Sequence, residues 1–270
     1  MVAFAANSLL CRLALGQELI DPASFASIRV VSGAITLSIL LGFRPGVKMR
    51  TPFDWRSVGS LFGYMIFFSF AYISLAAGTG ALILFGSVQL TMFVFALRDG
   101  EHFPLLSWAG LALAIAGLVY LVSPGVTAPN ISGSALMTVA GISWGVYSLR
   151  GRQVTDPLQA TAGNFLYCVP FVAVISLIFL RDFNSSTYGI GLAIASGAIA
   201  SGVGYAIWYA ALSGLSVSRA AIVQLSVPVI AAFGGILLLS EDVTFRLLVA
   251  TVATLGGVAI VLAQRETRTN

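Results

Sequence analysis

The chain has 270 residues, 58% of them hydrophobic and 9% charged, with a mean hydropathy of +0.97. An ordinary soluble domain is about 25% charged, so this chain cannot cover itself with polar surface in water and reads as a polytopic membrane protein. The net charge of +4 is divided into small basic groups between apolar runs, which excludes the continuous basic face with stacking aromatics that a nucleic-acid binder requires.

A membrane helix needs about 20 mostly apolar residues. Ten such runs are expected: 1–16, 22–43, 55–77, 79–97, 104–123, 132–149, 158–180, 187–212, 216–240 and 243–264. The first is short, with no basic leader and no small-residue cleavage site, so it does not read as a signal peptide. It carries Asn7, Ser8, Cys11 and Arg12. The second opens on Asp21-Pro22 and carries Arg29. The third holds Gly59, Gly63 and Tyr64, and the fourth holds Gln89. The sixth contains "GISWGVYSLRGR" (141–152), which fits both the G-x-S-x-G elbow of serine hydrolases and a G-x-x-x-G packing face. The seventh opens on Asp156-Pro157 and carries Asn164, Cys168 and Pro170. The eighth is marked by Gly197, Gly202, Gly204, Tyr205, Trp208 and Tyr209. The ninth contains Gln224 and Pro228, and the tenth Gly256-Gly257. The connections are short and rich in turn residues, as in "SPGVTAPNIS" (123–132).

Ten of the fourteen basic residues fall on one side: Arg44, Lys48, Arg50, Arg56, Arg98, Arg150, Arg152, Arg219, Arg265 and Arg268. The basic side of a membrane protein is cytoplasmic, which places both termini there. Two cysteines inside apolar runs, Cys11 and Cys168, read as small core residues. One loop histidine, His102, and scattered carboxylates build no metal site, and no cofactor is expected.

The two halves, 1–130 and 131–270, resemble each other. "IDPASFASIR" (20–29) aligns with "TDPLQATAGN" (155–164), 135 residues later. At an offset of 140, Ala71, Leu75, Ala81, Glu101 and Gly117 fall on Ala211, Leu215, Ala221, Glu241 and Gly257. Five spans per repeat is an odd number, so the second copy enters the membrane from the opposite side. Inverted repeats are typical of secondary transporters that work by alternating access.

"AAGTGALI" (76–83) and "SVSRAAIVQLSVPVIAAFGGILLLSE" (216–241), set in a five-plus-five arrangement, resemble the EamA-type branch of the drug/metabolite transporter superfamily. "FAANSLLCRLAL" (4–15) and "SFASIRVVSGA" (24–34) look most like bacterial aromatic amino-acid exporters. The resemblance implies an all-α membrane protein with ten transmembrane helices, arranged as two inverted five-helix repeats around a central cavity. Spans one to four and six to nine would surround that cavity, with five and ten standing aside. It further implies an inner-membrane location and an aromatic amino acid or related zwitterion as substrate.

Polar groups inside a membrane are costly and therefore informative. Asn7, Gln89, Asn164 and Gln224 either cross-link helices or bond the amino and carboxyl groups of a zwitterion. The resemblance puts Gln89 and Gln224 at the cavity. Trp144 and Tyr147 share a helical face, as do Tyr205 and Trp208, with Tyr64 and Tyr209 also deep in their spans. These rings either pack helices or line a pocket for an aromatic side chain. Pro170 and Pro228 interrupt helices and are candidate hinges. Arg12 and Arg29 either snorkel, pairing with Glu18 or Asp21, or anchor a ligand carboxylate. No Asp or Glu falls mid-span, whereas small multidrug antiporters of the same superfamily use an embedded carboxylate as proton carrier. Neutral or zwitterionic substrates moving down their own gradient are therefore expected, from a chain that suffices as a monomer in the bilayer.

Three other functions compete. Export of lipophilic drugs or other neutral metabolites fits the aromatic content. Phosphorylated ligands would want basic groups at mid-membrane. An intramembrane serine hydrolase would use Ser143, but a base must lie within reach of the nucleophile, and His102 and Lys48 are both in loops.

Overall fold

Helix starts are set by small polar caps and prolines. Asp21 accepts from Ser24 N (2.8 Å) and Asp156 from Gln159 N (3.1 Å), each directly before a proline at the first helical position. Asp54, Asn130 and Ser186 cap three further helices by accepting from Arg56 N, Gly133 N and Gly189 N. Each cap satisfies one of the orphan amides of a first turn, and proline there loses no hydrogen bond.

The computed structural model describes residues 1–44, 53–100, 102–151, 154–212 and 223–269. Within these the protein is all α. The helices are α1 (Val2–Gly16), α2 (Pro22–Gly42), α3 (Trp55–Ala71), α4 (Ala77–Arg98), α5 (Leu105–Val122), α6 (Ile131–Gly151) and α7 (Pro157–Ile178). They continue with α8 (Thr187–Ala195, prolonged through Ser196–Val203 into Gly204–Leu212), α9 (Ser226–Leu239) and α10 (Phe245–Thr269). The middle of α8 is wound as a π-helix. Lys48, Arg50, Glu101, Arg152, Arg219 and the 216–222 entry to the ninth expected span lie outside the described residues. So do the side chains of Tyr209, Arg265 and Arg268.

Ten membrane spans were expected from hydropathy. Six described helices are long and apolar enough to cross: α2, α4, α5, α7, α8 and α10. Helices α1, α3 and α9 have 15, 17 and 14 residues. At about 1.5 Å per residue they fall short of the roughly 30 Å hydrocarbon layer. Helix α6 has 21 residues but is diluted by Ser132, Ser134, Thr138, Ser143 and Ser148. The run expected over 55–77 overshoots because hydropathy does not register the turn that ends α3 at Ala71.

Helices α2 and α7 run antiparallel. Ser27 near the start of α2 bonds Ser176 Oγ (2.7 Å) and the Val172 carbonyl (3.1 Å) near the end of α7. Arg44, past the other end of α2, pairs with Asp156 at the start of α7 (3.3 Å). Helices α5 and α10 pack on each other through Gly110, Gly117, Thr254 and Gly257 and reach the rest mainly through α4. At one end of the bundle Arg12 pairs with Glu241 (3.2 Å), not with the expected Glu18 or Asp21. Its Nη1 donates to the carbonyls of Tyr72 and Ile73 (both 3.3 Å), and Glu241 accepts from Ala77 N, the first amide of α4. At the opposite end Arg150 pairs with Asp54 (2.6 Å). Partial burial alone would raise the Asp54 carboxyl. Hydrogen bonds from Ser57 and Arg150 outweigh it and hold the group below its ordinary value.

The glycines of "GISWG" form a seam. A Cβ at Gly141 would lie 2.6 Å from the Leu84 carbonyl, and one at Gly145 would lie 2.9 Å from Thr91 Cβ. Only glycine lets α6 approach α4 this closely. Ser143 faces α3, its Oγ 3.1 Å from where a Cβ at Gly63 would stand.

Candidate functional site

Helices α1, α2, α3, α6 and α8 converge on a knot of rings and polar atoms. Trp144 packs against Tyr64 (4.8 Å between centroids), Tyr205 (5.1 Å), Tyr147 (5.6 Å) and Phe4 (6.1 Å). Phe4 also meets Tyr205 (5.7 Å) and Trp208 (5.9 Å) edge to face. The rings touch rather than standing apart around an open chamber, so the knot as seen is closed.

Tyr64 is the polar hub. Its hydroxyl accepts from Asn7 Nδ2 (3.2 Å) and from Arg29 Nη2 (3.0 Å). Asn7 Oδ1 in turn accepts from Ser196 Oγ (2.6 Å), and Arg29 Nε donates to Ser201 Oγ (3.1 Å). Both serines lie in the π-wound stretch of α8. Wide turns of this kind recur at functional sites because they re-aim side chains.

Arg29 is 0% exposed. It does not snorkel. Its guanidinium lies over the rings of Phe68 (4.9 Å) and Tyr64 (5.1 Å), and its Nη1 has no hydrogen-bond partner. No carboxylate pairs with it among the described residues. Trp144 Nε1 and the Tyr205 hydroxyl are also buried without a hydrogen bond, although Tyr205 lies within electrostatic reach of Arg29 and close to the Tyr64 hydroxyl.

The expected site residues divide accordingly. Asn7, Tyr64, Trp144, Tyr147 and Trp208 belong to the knot. Asn164 joins its edge, donating to the Tyr147 hydroxyl (3.4 Å). Gln89 on α4 and Gln224, just before α9, are buried, with Gln89 Nε2 and Gln224 Oε1 unpaired. Among the described residues no hydrogen bond ties either to the rings. Pro170 lies on the outer face of α7. Pro228 is buried in the first turn of α9, directly after a turn at Leu225, so it interrupts no hydrogen-bond ladder. Phe4, Ser196 and Ser201 went unrecognised in the sequence. Their only signal is Arg29 itself, a lone charge eight residues into an apolar helix, which requires polar neighbours from elsewhere.

Residues 131–263 match the EamA-like transporter family. An uncharacterized protein of Pseudomonas aeruginosa is 47% identical over 98% of this chain and 92% of its own length. The chain belongs to the EamA-like transporter family. A "Probable amino-acid metabolite efflux pump" of Escherichia coli is 23% identical over 91% of the chain and 87% of the pump. A crystal structure shares the fold, with a TM-score of 0.69 and 21% identity, covering 98% of this chain and 97% of that one. This EamA-like protein is a multi-pass membrane transporter and not a hydrolase. Ser143 accordingly reads as a residue of the α3–α6 contact.

Proposed function

We propose that this transporter exports amino acids or related zwitterionic metabolites with aromatic side chains across a bacterial inner membrane. The observation that carries the reading is the ring knot, where Trp144 Nε1, the Tyr205 hydroxyl and Arg29 Nη1 are buried and unbonded. A buried polar atom without a partner is unfavourable. Three of them beside stacked rings suit a ligand that is aromatic at one end and polar at the other. The efflux pump of Escherichia coli, inner-membrane relatives and the absence of a mid-helix Asp or Glu support export without an embedded proton carrier.

The proposal includes two related halves, 1–130 and 131–270. Three features support it. Asp21-Pro22 and Asp156-Pro157 cap α2 and α7 alike. Gly100 and Ser240, 140 residues apart, both adopt left-handed backbone beyond α4 and α9, at φ of 84° and 54°. The equivalent helices α5 and α10 pack together, as do α2 and α7. Arg44, Arg56, Arg98 and Arg150 at the end where α1 begins favour cytoplasmic termini, which reporter fusions at residues 2 and 264 would check. In this proposal Pro170 and the break before Pro228 are the flexing points of alternating access, and one chain is the working unit.

The test is uptake by proteoliposomes across a panel of radiolabelled amino acids, with and without a pH gradient. Trp144→Ala should reduce aromatic uptake at least tenfold, and Gln89→Ala should weaken it. Uptake that requires the pH gradient, or is indifferent to both substitutions, refutes the reading.

A further inference from the structure

We propose that Arg29 is the anion anchor of this transporter, and that a carboxylate on the substrate is obligatory. The inference rests on reading the ring knot as the substrate site, and it narrows the substrate class. Other arginines show how this chain satisfies a guanidinium. Arg12, Arg44 and Arg150 each have a carboxylate, and Arg246 donates to the carbonyls of Leu121, Ser123 and Pro124. All of these sit at the bundle ends. Arg29 is fully buried, holds two neutral oxygens and leaves Nη1 empty.

A guanidinium is always protonated, so the site cannot discharge itself by losing a proton. A buried charge left without a partner is strongly unfavourable. The groups facing it are Tyr64, Tyr205, Cys11 and the ring of Phe68, none of them a carboxylate. Arg29 lies beside Tyr64 and within electrostatic reach of Tyr205, both of which carry a hydroxyl hydrogen, and Trp144 packs on Tyr64. The Tyr64 hydroxyl accepts two N–H groups and keeps its own hydrogen to give. The Tyr205 hydroxyl and Trp144 Nε1 are unbonded. A fixed positive charge with hydroxyl donors beside it, walled by aromatic rings, is complementary to a carboxylate on an aromatic body. An ammonium as sole polar group meets instead the repulsion of the buried guanidinium. Ligands with the ring and the amine but no acid should therefore be rejected, while ligands with the ring and the acid but no amine should be accepted.

Four ligands that share one ring decide this: phenylalanine, 3-phenylpropionate, phenylalanine amide and phenethylamine. Binding to the purified full-length protein in detergent would be measured by titration calorimetry, and inhibition of phenylalanine counterflow in proteoliposomes. The wild type should bind the two acids and neither the amide nor the amine. Arg29→Gln should weaken the acids by about 30-fold or more while bringing acid and amide to parity. Arg29→Lys keeps the charge without the planar fork and should restore part of the preference for acids. Equal binding of acid and amide by the wild type overturns the anchor while leaving an aromatic transporter standing, and so does chloride competing as well as phenylpropionate. No binding of any of the four, with no amino-acid uptake, rejects the substrate reading and this inference together. The wild-type comparison decides even if Arg29→Gln fails to fold.

Discussion

Tyr64 ties three helices to α3, two through its hydroxyl and one through its ring. Its hydroxyl accepts from Asn7 of α1 and Arg29 of α2 while its ring packs on Trp144 of α6. Tyr64→Phe keeps the ring and removes the acceptor, orphaning a buried amide hydrogen and a buried guanidinium hydrogen. The cost should be about 2–4 kcal/mol, the sum of one neutral and one charged donor left unsatisfied, read as a fall in the midpoint of unfolding in detergent. Asp54 gives a pH signature at the far end of the bundle. Its folded-state value lies below the ordinary 3.8. The stability it contributes is therefore complete above that value and is lost as pH falls through the lowered one. Wild type and Asp54→Asn should differ at pH 7, and the difference should shrink as pH falls below 3.8. The difference should be small, because a third of the side chain meets solvent. Residue chemistry was only partly legible in the sequence. Arg29 reads as a near-surface residue by its position in the span. In the fold, the start of α2 is itself covered by the 184–186 turn, where Asp21 N bonds the Asn184 carbonyl and Ser186 N the Leu19 carbonyl. Asp21 is spent on Ser24 and Asn184, so no acid is left for Arg29. Contacts 160 residues apart leave no trace in local pattern.

At the scale of the element, helix positions were legible, and which of them are long and apolar enough to cross a membrane was not. The caps at Asp21, Asp156 and Asn130 begin helices within a residue or two of where the apolar runs begin. Helix α3 ends at Ala71, inside the expected run 55–77, at a turn that hydropathy passes over. The "GISWG" seam gives a sharp contrast. Gly141→Val inserts a branched side chain where a single Cβ already stands 2.6 Å from the Leu84 carbonyl. It should destabilise the fold by about 1–3 kcal/mol or more, seen as loss of the monodisperse peak on size exclusion. Ser143→Ala in the same turn should leave transport unchanged, because the hydroxyl serves no chemistry. Ser240 closes α9 in left-handed backbone at φ 54°, a conformation that favours glycine. Ser240→Gly should raise stability by about 0.5–1 kcal/mol, measured as a higher thermal midpoint.

At the scale of the molecule, composition alone identified a membrane protein. It did not reveal that the rings of α1, α3, α6 and α8 collapse onto one another, because that depends on how close glycine lets the helices come. The two bundle ends are fastened differently. One carboxylate, Glu241, ties α1, the α3–α4 turn and the end of α9 together. Glu241→Gln keeps the shape and removes the charge. Hydrogen exchange at the Ala77 amide should then quicken by about tenfold to a hundredfold, while the Asp54–Arg150 end stays protected. Equal quickening at both ends would show that the bundle loosens as a whole.

The π-wound stretch of α8 acts as an index mark. An i to i+5 turn accommodates one residue more than an α-turn, so everything after Val203 is displaced by about 1.5 Å and 100° from where an unbroken helix would put it. Tyr205 and Trp208 owe their meeting with Phe4 to that surplus residue. Ile199, on the outer face of the stretch, is the position to remove. Its deletion should reset the helix by one notch and swing both rings toward lipid. The rest of the bundle would keep its helices and lose its aromatic lock, which Trp208 fluorescence in lipid nanodiscs would register as a changed environment. A single supernumerary residue thus sets which face of α8 the interior reads.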